Sequence, residues 1–146
     1  MKLEYLCDIT LDYREEPVYG QAFVLVQPYG SGEGSGYGEM DGTVMGDRLQ
    51  GRVRVANHPH ARSDGTFCPD LHGVIVTDDR ATILVSLHGY TVFNDGIGKQ
   101  LLRVIFEAAD ERYRWLNTTF CVLEGIFDPA APPMRARIYS CIHELV

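Results

Sequence analysis

Long apolar runs are absent from this sequence. No stretch approaches the roughly 20 apolar residues that a membrane-spanning helix needs. The N-terminal segment carries Glu4 and Asp8 where a secretory signal peptide needs an apolar core. We therefore expect a cytoplasmic protein that has no membrane partner.

Clusters of positive charge are also lacking. The chain has 13 Lys and Arg residues against 20 Asp and Glu residues, and its formal net charge is −7. Its basic residues form only local pairs, such as Arg52 with Arg54 and Arg135 with Arg137. A protein that binds nucleic acid usually shows a basic patch, so we expect no nucleic-acid partner.

Several catalytic and nucleotide-binding motifs are missing. The glycine run at 30–38 fits neither the P-loop pattern nor G-x-G-x-x-G, and no G-x-S-x-G nucleophile elbow occurs. The four cysteines form no C-x-x-C pair, and none has a basic neighbourhood that would activate its thiol. Covalent hydrolysis, disulfides and a cysteine-held zinc site are therefore not expected.

Short strand-like runs, bounded by Gly, Pro, Asn and Asp, recur along the 146 residues. Their length and spacing predict one all-β domain over 1–146, a barrel or a sandwich, with at most one short helix. Of the two, a closed or nearly closed antiparallel barrel is the architecture we expect. A loop is expected at 57–69, and the glycine run is either a loop or a kinked strand. The predicted strands are 2–11, 21–27, 43–46, 49–56, 70–77, 81–88, 115–124 and 134–144.

Residues 95–112 are ambiguous on pattern alone. Their apolar residues recur at helical spacing, and Asn94 or Asp95 offers a cap, which together favour a helix. The run Val104–Phe106 is nevertheless typical of a strand.

The chain resembles the uncharacterised bacterial family DUF3237, or UPF0311, almost from end to end. The matching segments are Met1–Leu6, Gly42–Gly51, Asp64-Gly65, Asp70, Thr77-Asp78-Asp79 and Tyr113-Arg114-Trp115-Leu116-Asn117. The last string is the most specific. The resemblance implies a small antiparallel barrel of calycin-like type and a strand at about 101–107. It implies no settled activity, and the chain departs from the family at Asn57, His58, His72 and the glycine run.

Asp70 and His72 are the candidate catalytic residues. Residues two apart on a strand share one face, so Asp70, His72, Val74 and Val76 lie together. If that face points into the barrel, a carboxylate beside an imidazole could move a proton near neutral pH. The alternative is that Asp70 accepts from loop amides and His72 is half-exposed.

Four further residues are candidates for substrate binding: Trp115, Asn117, Glu107 and Tyr113. On a strand, Trp115 and Asn117 would share a face, and an indole with an amide could wall and orient a compact ligand. The alternatives are a core anchor for Trp115, a hydrogen bond closing a strand end for Asn117, and a surface carboxylate for Glu107.

A histidine cluster raises the question of a metal. His58 and His60 precede Asp64, Cys68, Asp70 and His72. The spacing does not fit a cupin, and Pro59 between the two histidines would disrupt a strand. We therefore expect no metal and no cofactor, and a transition-metal or zinc site stays the alternative.

These residues lead to two main hypotheses of function. The first is a metal-independent enzyme of lyase, isomerase or cyclase type, which takes a small organic molecule into the barrel and transfers protons through Asp70 and His72. The second is a non-catalytic barrel that binds a small ligand, and a structural role is a third. A homodimer is expected, because exposed strands of small barrels often pair.

Overall fold

A computed structural model describes residues 1–15, 18–30 and 32–146. The strands are β1 Lys2–Tyr13, β2 Phe23–Val26, β3 Gly34–Met45, β4 Gln50–Asn57, β5 His60–Ala61, β6 Phe67–Cys68, β7 Asp70–Thr77, β8 Thr82–Asn94, β9 Ile97–Ala108, β10 Cys121–Phe127 and β11 Met134–Ile142. A 3₁₀ helix spans Glu111–Thr118 between β9 and β10. The predicted hairpins at 43–56 and 70–88 are confirmed.

Eight long strands close into one antiparallel barrel. Around the barrel they run β1, β11, β10, β9, β8, β7, β4 and β3, and β3 pairs with β1 to complete the circle. Closure leaves these strands without a free edge along which another strand could pair. The prediction of a closed antiparallel barrel with one short helix is confirmed.

Three short strands extend one end of the barrel. β2 pairs with β3, β5 pairs with both β3 and β6, and β6 pairs with β8. We call the end that these three strands extend the open end, because its side chains leave a cavity between them. The opposite end, which we call the closed end, is covered by the 3₁₀ helix, whose Tyr113 and Leu116 are buried.

Alternate residues of each long strand point into the barrel and build the core. On β8, for example, Ile83, Val85 and Leu87 are buried, and the residues between them are exposed or half-buried. The largest fully buried side chains are Phe106, Ile9, Leu11, Leu49, Ile75, Ile83, Leu87, Leu116, Leu123 and Ile138.

Two ambiguous segments are settled by the backbone. Residues 101–107 lie in β9, so the strand implied by the resemblance is confirmed and the helical pattern at 95–112 misled. The strand predicted at 115–124 is wrong in its first half, since 111–118 form the 3₁₀ helix and β10 begins at Cys121. Asp110 caps that helix by accepting from the backbone N–H of Arg112 at 2.9 Å.

Among the described residues, no helix has the length and apolar character that a membrane span requires.

Candidate functional site

The open end of the barrel holds a cavity of about 350 Å³. Its floor is apolar, with Leu87 and Leu102 near the barrel middle. The lining residues are Leu11, Tyr13, Phe23, Met40, Asn57, Pro59, Phe67, Pro69, Leu71, Leu87, Thr91, Phe93, Gln100, Leu102, Phe127, Pro129 and Met134. None of these described lining residues carries a formal charge, so the cavity offers apolar contact and a few neutral hydrogen-bonding groups.

Five aromatic rings follow one another around the cavity, and we call them the aromatic collar: Phe23, Tyr13, Phe127, Phe93 and Phe67. Successive ring centroids lie 5.5, 6.3, 6.3 and 5.6 Å apart. The rings meet at angles between 56° and 89°, in the tilted and edge-on arrangements that aromatic pairs prefer. The collar therefore presents ring faces and edges to any molecule that enters the cavity.

Glycines on the inward face of β3 make room for two rings of the collar. A Cβ at Gly36 would lie 2.5 Å from Phe23 Cζ, and a Cβ at Gly38 would lie 2.5 Å from Tyr13 Cε1. Both positions alternate with outward residues, so the glycine run seen in the sequence is a strand with a smooth inner face. Its absent side chains are what allow the collar rings to lie flat against it.

The cavity has two pairs of polar side chains. Asn57 Nδ2 donates to Tyr13 Oη at 3.3 Å, and Asn57 Oδ1 accepts from the backbone N–H of Asp70 at 3.2 Å. On the other wall, Gln100 Nε2 donates to Thr91 Oγ1 at 2.9 Å. Gln100 Oε1 is buried and has no partner among the described residues.

Tyr13 is the titratable side chain of the described cavity lining. Burial raises the pKa of its phenol above the ordinary value near 10, and the hydrogen bond from Asn57 acts in the opposite direction. The phenol is therefore protonated throughout the neutral range and available as a donor.

Asp70 and His72 lie on the outer face of β7. His72 Nε2 and Asp70 Oδ1 are 2.9 Å apart, so the two side chains do touch, but they are 65% and 47% exposed. The inward residues of this strand are Leu71, Gly73, Ile75 and Thr77. The expectation that Asp70 and His72 line the barrel interior is therefore wrong; a role of the pair in proton transfer stays a prediction.

The helix residues predicted to bind substrate lie at the closed end. Trp115 packs against the core, receives the Arg48 guanidinium 3.7 Å from its ring centroid, and donates from Nε1 to the Arg112 carbonyl at 3.2 Å. Tyr113 donates to both carboxylate oxygens of Asp79, at 2.8 and 2.9 Å. Neither residue is among those that line the cavity.

Asn117 closes a strand end, which was the alternative interpretation of this residue. Its Oδ1 accepts from the Ala108 N–H at 2.7 Å, and its Nδ2 donates to the Ala108 carbonyl at 2.8 Å. Glu107 is exposed on the outer face of β9, beside Leu84 of β8. The prediction that a carboxylate, an imidazole, an indole and an amide together line the barrel interior is therefore wrong, because none of these four side chains lines the cavity.

The histidine cluster is spread out on the surface. His58 is exposed and stacks edge-on against Tyr37, with ring centroids 4.9 Å apart, while His60 is exposed on β5. Within residues 1–15, 18–30 and 32–146, no three His, Cys, Asp or Glu side chains lie close enough to hold a metal ion. All four cysteines are free thiols.

Sequence reasoning overlooked the collar and the Tyr13–Asn57 pair. The available signal was the alternation of glycines at 34, 36 and 38, because inward glycines in a barrel strand leave space that large side chains from neighbouring strands fill. Tyr13 at the end of β1 and Phe23 at the start of β2 are the rings that use this space at Gly36 and Gly38.

Solved structures of low sequence identity share this fold. A β-barrel-like protein from Acinetobacter baumannii matches with a TM-score of 0.81 and 19% identity, over 95% of this chain and 94% of that one. A protein with unknown function from Clostridium acetobutylicum matches with a TM-score of 0.79 and 17% identity, over 96% of each chain. An enzyme from Penicillium herquei matches with a TM-score of 0.67 and 19% identity, over 94% and 93%.

No curated protein matches the sequence significantly. The sequence profile of one family does match, over residues 1–141, and thus over nearly the whole barrel. This agrees with the resemblance carried by the string Tyr113–Asn117 and by the hairpin Gly42–Gly51. The chain belongs to the family of proteins of unknown function called DUF3237.

Proposed function

We propose that this protein binds a compact, uncharged and largely apolar organic molecule in the cavity at the open end of the barrel. The observation that carries the proposal is a cavity of about 350 Å³, ringed by the aromatic collar and lined by no charged residue among those described. Ligand cavities commonly measure roughly 300–1,000 Å³, so this one suits a small ligand. Small barrels of about eight strands are known to hold one small ligand.

The absence of ionic groups from the described lining favours a neutral ligand. A carboxylate or ammonium brought into the cavity would lose its water and find no partner of opposite charge there, which costs at least several kcal/mol. A neutral aromatic molecule would instead keep its apolar surface away from water and meet the rings of the collar. The neutral polar groups of Tyr13, Asn57, Thr91 and Gln100 would fix its orientation.

The test compares probes that share one shape and differ in charge. The melting temperature is measured with 2-isopropylnaphthalene, with 2-acetylnaphthalene and with the 2-naphthoate anion. A ligand that binds the folded state stabilises it in proportion to its occupancy. We expect the two neutral probes to raise the melting temperature and the anion to have no effect. Equal effects from the anion would contradict the proposal.

A pair of methionine variants locates the site. Met134 lines the cavity, whereas Met45 lies on the outer face of β3 and is 66% exposed. Met134→Trp should fill the cavity and abolish binding of 2-isopropylnaphthalene. Met45→Trp makes the same change outside the cavity and should leave binding intact. Far-UV circular dichroism of both variants checks that the barrel still forms.

Catalysis of lyase, isomerase or cyclase type without a metal is the second candidate. It is favoured by one observation, the half-buried Tyr13 phenol in the cavity lining, whose raised pKa keeps it protonated beside a bound ligand. The similar fold from Penicillium herquei is described as an enzyme, which makes catalysis plausible on this barrel.

A simple reaction tests this second candidate. A hydrogen bond from Tyr13 to the carbonyl of 2-acetylnaphthalene would acidify its methyl protons, which solvent or a buffer base removes and D₂O replaces by deuterons. Wild-type protein should therefore accelerate this exchange, followed by proton NMR. Tyr13→Phe should abolish the acceleration while the probe still binds. Exchange that is no faster than in buffer leaves binding alone as the function of the cavity.

A further inference from the structure

A chain of hydrogen bonds fixes which way the Asn57 amide points. The backbone N–H of Asp70 can only donate, and it lies 3.2 Å from Asn57 Oδ1. That contact assigns the oxygen of the amide to the β7 side. The amide nitrogen must then face Tyr13 Oη, 3.3 Å away, and it can only donate to it.

The Tyr13 hydroxyl is consequently an acceptor from Asn57, and its own proton is left to point elsewhere. No described residue accepts a hydrogen bond from Tyr13 Oη, although buried tyrosines usually find a partner for the O–H. Burial raises the pKa of the phenol, so this proton is not lost in the neutral range. Tyr13 also lines the cavity, which puts the unused donor beside the ligand site.

The position of the ring is set by three neighbours. Tyr13 belongs to β1, and its ring crosses the inward face of β3 at Gly38 to reach Asn57 on β4. The ring packs between Phe23 and Phe127, with centroids at 5.5 and 6.3 Å. A donor held this firmly needs little reorganisation to meet an acceptor, which is the condition for selective recognition.

The second polar pair of the cavity lacks this constraint. Thr91 and Gln100 bind each other, and no backbone group anchors the Gln100 amide among the described hydrogen bonds. The Thr91 hydroxyl can donate or accept, so the amide can turn over, and in either orientation its other polar group has no partner among the described residues. The direction of the Gln100 amide is therefore not fixed, whereas the hydrogen bonds of the described lining do fix the direction of the Tyr13 hydroxyl.

We infer that Tyr13, oriented by Asn57, is the hydrogen-bond donor of the cavity and selects ligands that present an uncharged acceptor oxygen, such as a carbonyl. This specificity rests on the proposed function, because it requires a ligand in the cavity. Asn57 acts as a positioning residue, and the backbone N–H of Asp70 positions Asn57.

The experiment uses two isosteric probes, 2-acetylnaphthalene with its carbonyl oxygen and 2-isopropylnaphthalene without one. Dissociation constants are measured by fluorescence titration. One net hydrogen bond corresponds to a preference of about threefold to tenfold, and wild-type protein should prefer the ketone by that factor. Tyr13→Phe should bring the ratio close to one while the hydrocarbon keeps its affinity.

Asn57→Asp tests whether the direction of the hydrogen bond between residue 57 and Tyr13, and not just the presence of the phenol, determines the preference for the ketone. A carboxylate at this position accepts from Asp70 N–H with one oxygen and from Tyr13 O–H with the other, which turns the phenol proton away from the cavity. The preference for the ketone should therefore disappear although Tyr13 is still present. Tyr113→Phe, a matched change at the closed end, should leave the preference unchanged.

The outcomes separate the inference from the proposed function. If neither neutral probe binds wild-type protein, the proposed function fails. If both bind equally, or if Tyr13→Phe or Asn57→Asp keeps the preference for the ketone, the inference is overturned and the proposed function stands. Loss of the preference in Thr91→Val with retention in Tyr13→Phe would also overturn it. Melting curves of each variant confirm that it is folded.

Discussion

The two ends of this barrel are built in opposite ways. At the closed end, the 3₁₀ helix inserts Tyr113 and Leu116 into the core, and hydrogen bonds join its residues to Asp79 and Ala108. At the open end, the collar rings surround a cavity that no described side chain fills. The comparison shows one end that is filled by packed and hydrogen-bonded side chains and another end that encloses an unfilled space among the described side chains.

The contrast extends to the kinds of polar group at each end. The closed end carries charged partners, with the Arg112 guanidinium 3.1 Å from Asp79 and 2.8 Å from Asp110. Among the described residues that line the cavity at the open end, all the polar groups are uncharged. Charged pairs near water can be kept at little cost, whereas charges in an apolar cavity cannot. The contrast is one between a cavity lining and a protein surface, because the exposed loop between β5 and β6 at the open end also carries an ion pair, Arg62 with Asp64.

Two leucines offer the largest test of this comparison. Leu116 is 1% exposed in the packed closed end, and Leu71 is 4% exposed but lines the cavity. Leu116→Ala should lower the free energy of unfolding by about 2–5 kcal/mol, as core leucines do. Leu71→Ala should cost less, because one side of that leucine already lacks contacts. Urea denaturation measures both.

The same two variants should have the opposite ranking in probe binding: Leu71→Ala should affect the affinity for the neutral probes more than Leu116→Ala does. Leu71→Ala changes the shape of the cavity and should change the affinity for 2-isopropylnaphthalene, while Leu116→Ala should leave it unaltered under conditions where both are folded. A larger stability loss for Leu71→Ala would mean that the open end is as important to the core as the closed end.

Asn117 gives the next largest effect. Asn117→Ala removes both hydrogen bonds to the backbone of Ala108 and leaves a part-buried N–H and carbonyl without partners, which should cost about 1–3 kcal/mol. Binding of the naphthalene probes should not change, because Asn117 is remote from the cavity lining. Thr118→Ala, a change at the adjacent exposed residue, is the control and should alter neither quantity.

The Asp70–His72 pair should show a small effect. Both side chains are about half-exposed or more, and exposed ion pairs contribute at most about 1 kcal/mol. Asp70→Asn and His72→Ala should therefore unfold close to wild-type protein and bind the probes equally well. Loss of the deuterium exchange of 2-acetylnaphthalene in either variant, with binding retained, would instead support the catalytic role predicted from the sequence.

The fold could be predicted from the sequence because the barrel is made of local hairpins. The turns at Gly46-Asp47 and Asp78-Asp79-Arg80 lie between alternating apolar residues, so each hairpin is recognisable by itself. The number and spacing of the strands left a barrel or a sandwich open, and the family resemblance favoured the barrel. Alternation does not show which face of a strand points inward when both faces carry apolar residues. In β7, Leu71 and Ile75 point inward, although Val74 and Val76 on the outer face are also apolar.

The site was harder to predict for the same reason. Trp115 and Asn117 are two residues apart, as residues on one face of a strand are. They lie instead in the 3₁₀ helix that Asp110 caps, and this helix covers the closed end. The cavity depends on residues that the fold brings together from distant strands, such as Tyr13 with Asn57. The sequence feature that indicates the cavity is the pair of glycines Gly36 and Gly38, whose missing side chains leave room for two rings. No known motif corresponds to such a pair.

The smallest expected effect is on the acid sensitivity of unfolding, through the Asp110 carboxyl at the closed end. Hydrogen bonds from the Arg112 side chain and backbone lower the pKa of the Asp110 carboxyl to about 2, against about 3.9 for an unfolded aspartate. Because the folded protein binds this proton less readily, Asp110 stabilises the fold above about pH 4, and the contribution is lost as the pH falls toward 2.

Asp110→Asn tests this assignment, because asparagine also caps helices but does not titrate. Between pH 4 and pH 2, the urea midpoint of the variant should fall less steeply than that of wild-type protein. Asp95→Asn makes the same charge change in the β8–β9 turn at the open end, where asparagine accepts the positive φ of 53°. Its slope should match wild-type protein; a slope as shallow as that of Asp110→Asn would show that the change in acid sensitivity is not specific to Asp110.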